Sequence, residues 1–150
     1  MQAKLVAEGT TVTYVVVLDQ GEETVSVLTD WAASEGISAA QVTAVGAFER
    51  AVVGWFDRAA KAYRRVTVGE RCEVLSLTGD IAIGPGDDGE AERSQPHLHA
   101  VLGLSDGTTR GGHLLEGHVR PTLEMVVREA PAQLRKTLRP DVGLALIDLG

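Results

Sequence analysis

Apolar and polar residues alternate with a period of two along most of the chain, the signature of strands with one buried face. Thr11 to Leu18, rich in Val, Tyr and Thr, predicts a first strand, buried on both faces at Val15-Val16-Val17 and ended by Asp19-Gln20-Gly21. The period then changes. Val25, Leu28, Trp31 and Ala32 form a helical stripe, opened by Glu22 and Glu23, whose charges suit the positive end of the helix dipole, and stopped by Gly36. Ser38-Ala39-Ala40-Gln41 has capping-box spacing and predicts a second, short helical turn.

From Val42 to Asp57 the chain is again β-like, with Gly46 and Gly54 as points of bulging or close approach. Asp57 to Lys61 reads as a hairpin loop, Tyr63 to Val68 as the return strand, and Cys72 to Ile83 as a long strand interrupted at Gly79. Gly84 to Gln95 has hardly an apolar residue and predicts a solvated connection, or a lid over whatever follows it. Val119 to Arg128 is a strand with Pro121 near its start, which points to an edge or a bulge because proline cannot donate to the ladder. On it Leu123, Met125 and Val127 share one face, while Thr122, Glu124 and Val126 share the other. Ala130 to Leu138 reads as a short helix or loop begun by Pro131, and Val142 to Leu149 as a last strand. The expected architecture is α/β of the α+β kind: a mostly antiparallel sheet with a few flanking helices, in a single domain over residues 1–150.

The candidate chemistry is concentrated between Pro96 and Val127, which holds all four histidines. His97 and His99 lie two apart in a strand, so their rings project from one face. Ser105-Asp106-Gly107 is a turn signal that closes a hairpin, and Gly111-Gly112 clears side chains just before His113. His113 then returns to the level of His99 on the partner strand. Three imidazoles converge, and three histidines with an open fourth position are a recurrent zinc arrangement. His118, at an odd offset from His113, falls on the opposite face and reads as an ordinary structural residue. Glu124, a carboxylate among apolar neighbours, is either a surface or interface ion-pair partner for an arginine such as Arg120, or a base or supporting group beside the metal.

Charge and cysteine usage narrow the rest. With 14 Lys+Arg against 21 Asp+Glu the net charge is −7, which disfavours nucleic acid as a partner unless Arg110, Arg120 and Arg128 are gathered in an assembly. Cys72 is the one cysteine, so no intramolecular disulfide and no cysteine-based zinc site can form; it reads as a small apolar strand residue. The N-terminal residues lack the apolar core of a secretion signal and no run is long enough for a membrane span, making the cytoplasm the default location. Motifs for nucleotide hydrolysis or serine-type acyl transfer are missing, and Ile83-Gly84-Pro85-Gly86-Asp87-Asp88-Gly89 opens no apolar helix.

The segments H-L-H-A-V-L-G, D-G-x-x-x-G-G-H-L, G-H-V-x-x-T-L-E, G-A-F-E-R-A-V-V-G-W-F-D and E-V-L-S-L-T-G-D-I-A resemble the plant-and-prokaryote-conserved (PPC) domain, domain of unknown function 296, from about Thr11 to Leu146. The resemblance implies an α/β domain assembled as a homotrimer, with His97, His99 and His113 matching metal ligands seen in some members and an acidic residue at the place of Glu124. Plant members carry a separate AT-hook that grips DNA, and no such R-G-R-P tract occurs here. Two functions follow as expectations. One is a trimeric protein binding Zn²⁺ or another divalent ion, with hydrolytic or lyase activity on a small molecule and Glu124 as base; the other is a non-enzymatic DNA-associated or regulatory domain in which the histidines are structural.

Overall fold

In the computed structural model, which describes residues 1–7, 9, 11–86 and 91–150, nine strands and one helix are built. The elements are β1 (Gln2–Ala7), β2 (Val12–Asp19), α1 (Thr24–Ser34), β3 (Ala39–Asp57), β4 (Ala62–Val68), β5 (Cys72–Gly84), β6 (Arg93–Gly103), β7 (Thr109–Glu129), β8 (Arg135–Arg139) and β9 (Leu144–Asp148). All strands join one sheet in the order β1-β2-β7-β3-β5-β8-β9, with β4 against β3, and β6 spanning from β5 to β7. Because β3 pairs with β5, β5 with β6, β6 with β7 and β7 with β3 again, these four close into a ring. The pairings are antiparallel apart from a parallel contact between β5 and β8. The architecture is mostly β with one helix among the described residues.

Strands as long as β3 and β7 would run off a flat sheet, and bulges are what allow them to coil. Their shared ladder slips register between Gly46 and Phe48, Phe48 and Arg50, and Val52 and Val53. The slip beside Pro121 locates that proline: β7 lies between β2 and β3 there, so it occupies a bulge and not an edge. Alternation sends Val42, Ala44, Leu123, Met125 and Val127 into the core with Leu77, Leu98 and Leu102 from the ring's other side. Cys72 is buried there, and burial pushes its thiol above the ordinary range, as suits a small apolar residue.

Helix α1 is fixed at both ends by its own sequence. Glu23, the N-cap, accepts from the amides of Val25 and Ser26 at 3.1 and 2.8 Å and from Gly117 N on β7 at 3.0 Å. Leu28, Trp31 and Ala32 then face the core, and Gly36 turns the chain at φ +70°, with Ile37 N donating to Ala32 O. Glu22 serves elsewhere, pairing with the terminal ammonium of Met1 beside Asp19.

Four expectations are corrected. Ser38–Gln41 is the start of β3, not a helical turn: Ala39 and Ala40 are buried and pair with Ala82 and Ile81, so tertiary pairing overrides the local cap signal. Arg135–Arg139, read as helix or loop, is β8, stabilised by pairing with β9. Only Val16 of Val15-Val16-Val17 is fully buried. Of the stretch from Gly84 to Gln95 read as a solvated connection or a lid, Gly84 belongs to β5 and Arg93 to Gln95 to β6, and residues 87–90 lie outside the described residues. No helix among the described residues is long and apolar enough to cross a membrane.

Candidate metal centre

The turn after β6 is built as its sequence requires. Gly107 sits at φ +81° and donates to Leu104 O, and Asp106 Oδ1 accepts from both the amide and the hydroxyl of Thr108. This sets the register in which His99 lies directly opposite His113. Gly112, at φ +156°, lets β7 pass close to β3: a Cβ there would stand 2.5 Å from Gly54 O. On β6, Leu98 and Ala100 take the buried face, leaving His97 and His99 on the other.

The three rings meet. One nitrogen from each of His97, His99 and His113 lies within 4.8 Å of the others, and the ring centroids are 5.1 to 5.5 Å apart. The Nε2 atoms of His97 and His99 are 3.2 Å apart. Two nitrogens bound tetrahedrally to one ion at about 2.05 Å stand about 3.3 Å from each other, so this pair is already spaced for a shared metal. Nδ1 of His113 is buried and has no hydrogen-bond partner, an orphaned lone pair or proton in a polar cluster. The residues present fit a divalent ion.

Their electrostatics point the same way. Burial lowers the His113 pKa to about 4, helped by its neighbours His97, His99 and Lys136, and burial followed by the charge of His97 lowers that of His99. Neutral imidazole is the form that ligates. Tyr63 of β4 stacks on His113 at 4.7 Å between centroids, its hydroxyl pKa raised by burial. Since the folded pKa of His113 is below the ordinary 6.5, the unfolded chain takes up the proton first as pH falls. The stability of metal-free protein is therefore full above about 6.5 and is lost on going down towards 4. Discounted for solvent contact, roughly 2 kcal/mol should disappear over that window, and the loss should flatten in His113→Gln, as read from urea unfolding at stepped pH.

Two groups absent from the sequence reading support the centre. Asp80, opposite His97 on β5, places Oδ2 at 3.4 Å from His97 Nδ1. Lys136 of β8, its side chain 5% exposed, approaches Asp80 Oδ1 to 2.7 Å, close but not aligned as a hydrogen bond, and donates instead to Gln95 O at 3.2 Å. Burial opposes ionisation of Asp80, but His97 and Lys136 outweigh it and hold the carboxyl below its usual range. Beside the rings a cavity of about 490 Å³ opens between Tyr63, His113, Lys136 and the β9 residues Leu144 and Leu146. Another of about 390 Å³, near Gln41, Arg128 and Leu134, contains none of the histidines.

The remaining candidates stay apart. His118 lies opposite Arg50, whose Nη2 is 3.0 Å from its Nε2. Glu124 is exposed on β7, in a groove with Thr43, Val45, Leu75 and Val126. The register runs from His99 to Thr78, Thr43 and Val126, which puts Glu124's neighbourhood three strand spacings from the imidazoles, on the order of 14 Å along the sheet. Within one subunit it is not brought to them as a base. Nor does it pair with Arg120, which bonds Glu49 at 2.9 Å.

This fold has counterparts. A Pyrococcus horikoshii plant- and prokaryote-conserved protein superposes with a TM-score of 0.82 at 26% identity, covering 98% of this chain and 94% of that one. A Bacteroides thetaiotaomicron protein provisionally described as DNA-binding gives 0.83 at 27%, covering 97% and 96%. A metal-containing protein from Archaeoglobus fulgidus gives 0.80 at 26%, covering 98% of each. No curated protein sequence matches the chain. The family model of the Plants and Prokaryotes Conserved domain matches residues 6–131, from the end of β1 through β7 with all four histidines, and the chain belongs to that family.

Proposed function

We propose that this chain binds a divalent cation, zinc by the chemistry of its donors, through His97, His99 and His113, and that the loaded site acts on a small molecule held in the adjoining cavity. The carrying observation is the convergence of three imidazole nitrogens within 4.8 Å of one another. The metal-containing Archaeoglobus relative supports the reading. When bound, the ion supplies Lewis-acid polarisation of a ligand oxygen, suited to hydrolysis or bond cleavage beside a carbonyl. The chain's own contributions are orientation and exclusion of water: Tyr63 stacks on His113, and Leu144 and Leu146 wall the cavity's far side. Tyr63, its hydroxyl pKa raised by burial, is a proton source on the cavity wall beside His113.

The chain works in this reading as one domain, assembled as a homotrimer in the cytoplasm. Val45, Leu75 and Val126 are 57, 55 and 45% exposed around one groove, an apolar face that another copy would cover, and Glu124 stands in it as an interface residue. DNA association is the second reading, supported by the description of the Bacteroides relative. A net charge of −7 and the engagement of Arg120 with Glu49 weigh against it.

Metal content of untagged protein, by inductively coupled plasma mass spectrometry, tests the first reading. Close to one zinc per chain is expected. No metal as purified and none after incubation with Zn²⁺ would overturn it.

A further inference from the structure

Asp80, held by Lys136, is the group that decides which nitrogen of His97 faces the centre. The inference rests on the metal reading but is testable without the metal. The geometry points to this because the two nitrogens of the His97 ring meet opposite demands. Its Nδ1 stands 3.4 Å from Oδ2 of the Asp80 carboxylate, near but not aligned as a full hydrogen bond, and its Nε2 stands 3.2 Å from His99 Nε2. A carboxylate accepts and repels a lone pair, so its nearness favours the tautomer with the proton on Nδ1. In the neutral ring Nε2 then presents a lone pair, which accepts from His99 Nε2 in the metal-free protein and is directed at the place where the three imidazoles meet.

Free imidazole in a peptide favours the opposite tautomer, with the proton on Nε2. A His97 in that state would aim an N–H at the centre, and the metal would have to await tautomer exchange. Asp80 thus prepays the arrangement, as carboxylates behind ligating histidines do elsewhere. It can do so because it is on β5 opposite His97, fixed by the β5–β6 ladder. Asp80 is itself half-buried, and a half-buried charge needs a partner that holds it in one place. Lys136 is that partner. Its side chain is 5% exposed, its ammonium is 2.7 Å from the carboxylate, and its own position is fixed by Gln95 O.

Lys136 also gives the device its reach. It stands on β8, beyond residue 131, where the family match ends, and β8 pairs with β9, whose leucines wall the cavity. The C-terminal hairpin therefore supplies both a wall of the ligand cavity and the charge that holds the positioning carboxylate. Asp80 stands behind the His97 ring and acts through it, and Lys136, which also lines the cavity, acts on the ring through Asp80.

The experiment uses ¹⁵N-labelled full-length protein and long-range ¹H–¹⁵N correlation of the histidine rings. In metal-free wild type, His97 is expected in the Nδ1–H form. Asp80→Ala leaves Lys136 buried without its partner and destabilises the fold, so the second variant is Asp80→Ala/Lys136→Met, which removes both charges together. In either, His97 should revert to the Nε2–H form, and affinity for Zn²⁺ against a competing chelator should fall about 10- to 100-fold. Asp80→Glu should recover part of both. An Nε2–H His97 in wild type, or a double variant keeping the Nδ1–H form with zinc affinity within about twofold of wild type, would overturn the inference. If wild type takes up no zinc, the metal reading fails by itself, and the tautomer measurement still decides the role of Asp80.

Discussion

His97→Ala/His99→Ala is expected to carry no zinc where wild type carries one per chain, with its affinity lowered about 10⁴-fold or more. Binding energies of about 10–16 kcal/mol for zinc sites in small proteins, shared among three or four ligands, put each imidazole at about 3–4 kcal/mol. Two lost donors therefore remove most of the affinity, since His113 alone cannot hold the ion. The fold should survive. The His97 side chain is 42% exposed and His99 lies on the exposed face of β6, while Leu98 and Ala100 between and beyond them keep the core contacts. Circular dichroism and metal-free urea midpoints close to those of wild type would confirm that only the centre was removed. His118→Ala is the matched control: its partner is Arg50, and zinc content should stay at wild-type level. Loss of metal in the control as well, or retention in the double variant, would move the site elsewhere.

The legible part of this site was the part written in local periodicity. H-x-H in a strand fixes a common face, and a Ser105-Asp106-Gly107 turn fixes where the chain comes back, so the opposition of His99 and His113 could be read from spacing alone. The odd offset of His118 was informative for the same reason, and it does lie away from the cluster. Glu124 was not legible, because alternation tells which face a residue takes but not how many strands separate it from another on that face. Asp80 is joined to His97 by strand pairing across the 84–95 connection, and Lys136 by a strand that carries no β signal of its own. Lys136 sits in R-K-T-L-R, whose strand state comes from pairing with β9 and not from propensity. The missing second helical turn has the same cause: burial of Ala39 and Ala40 between β5 and β7 outweighed a cap signal worth about 1 kcal/mol.

Gly79 shows how a residue flagged for one reason can act for another. The sequence marked it as a place where a ligand or a neighbouring subunit could come near the backbone; what comes near is β6. A Cβ on Gly79 would collide with the backbone carbonyl of His97 and stand 3.0 Å from Leu98 Cα. Neither obstacle is the flexible end of a side chain, so only a widening of the β5–β6 ladder can relieve the clash. Gly79→Ala is expected to cost about 3 kcal/mol in metal-free urea unfolding: ladder bonds on either side weaken at about 1 kcal/mol each, and Leu98, 2% exposed, is drawn out of its packing. The same widening pulls Asp80 from His97, since the two are the next pair along the ladder, and zinc affinity should fall about tenfold with it. Gly69→Ala separates this from a general effect of replacing glycine. Nothing lies within 4 Å of the added carbon there, and the substitution should be neutral or stabilise by up to about 1 kcal/mol through the unfolded chain. Equal midpoints for the two variants would mean that β5 and β6 can part at Gly79 without cost, and that the closeness of their backbones is not what holds Asp80 behind the His97 ring.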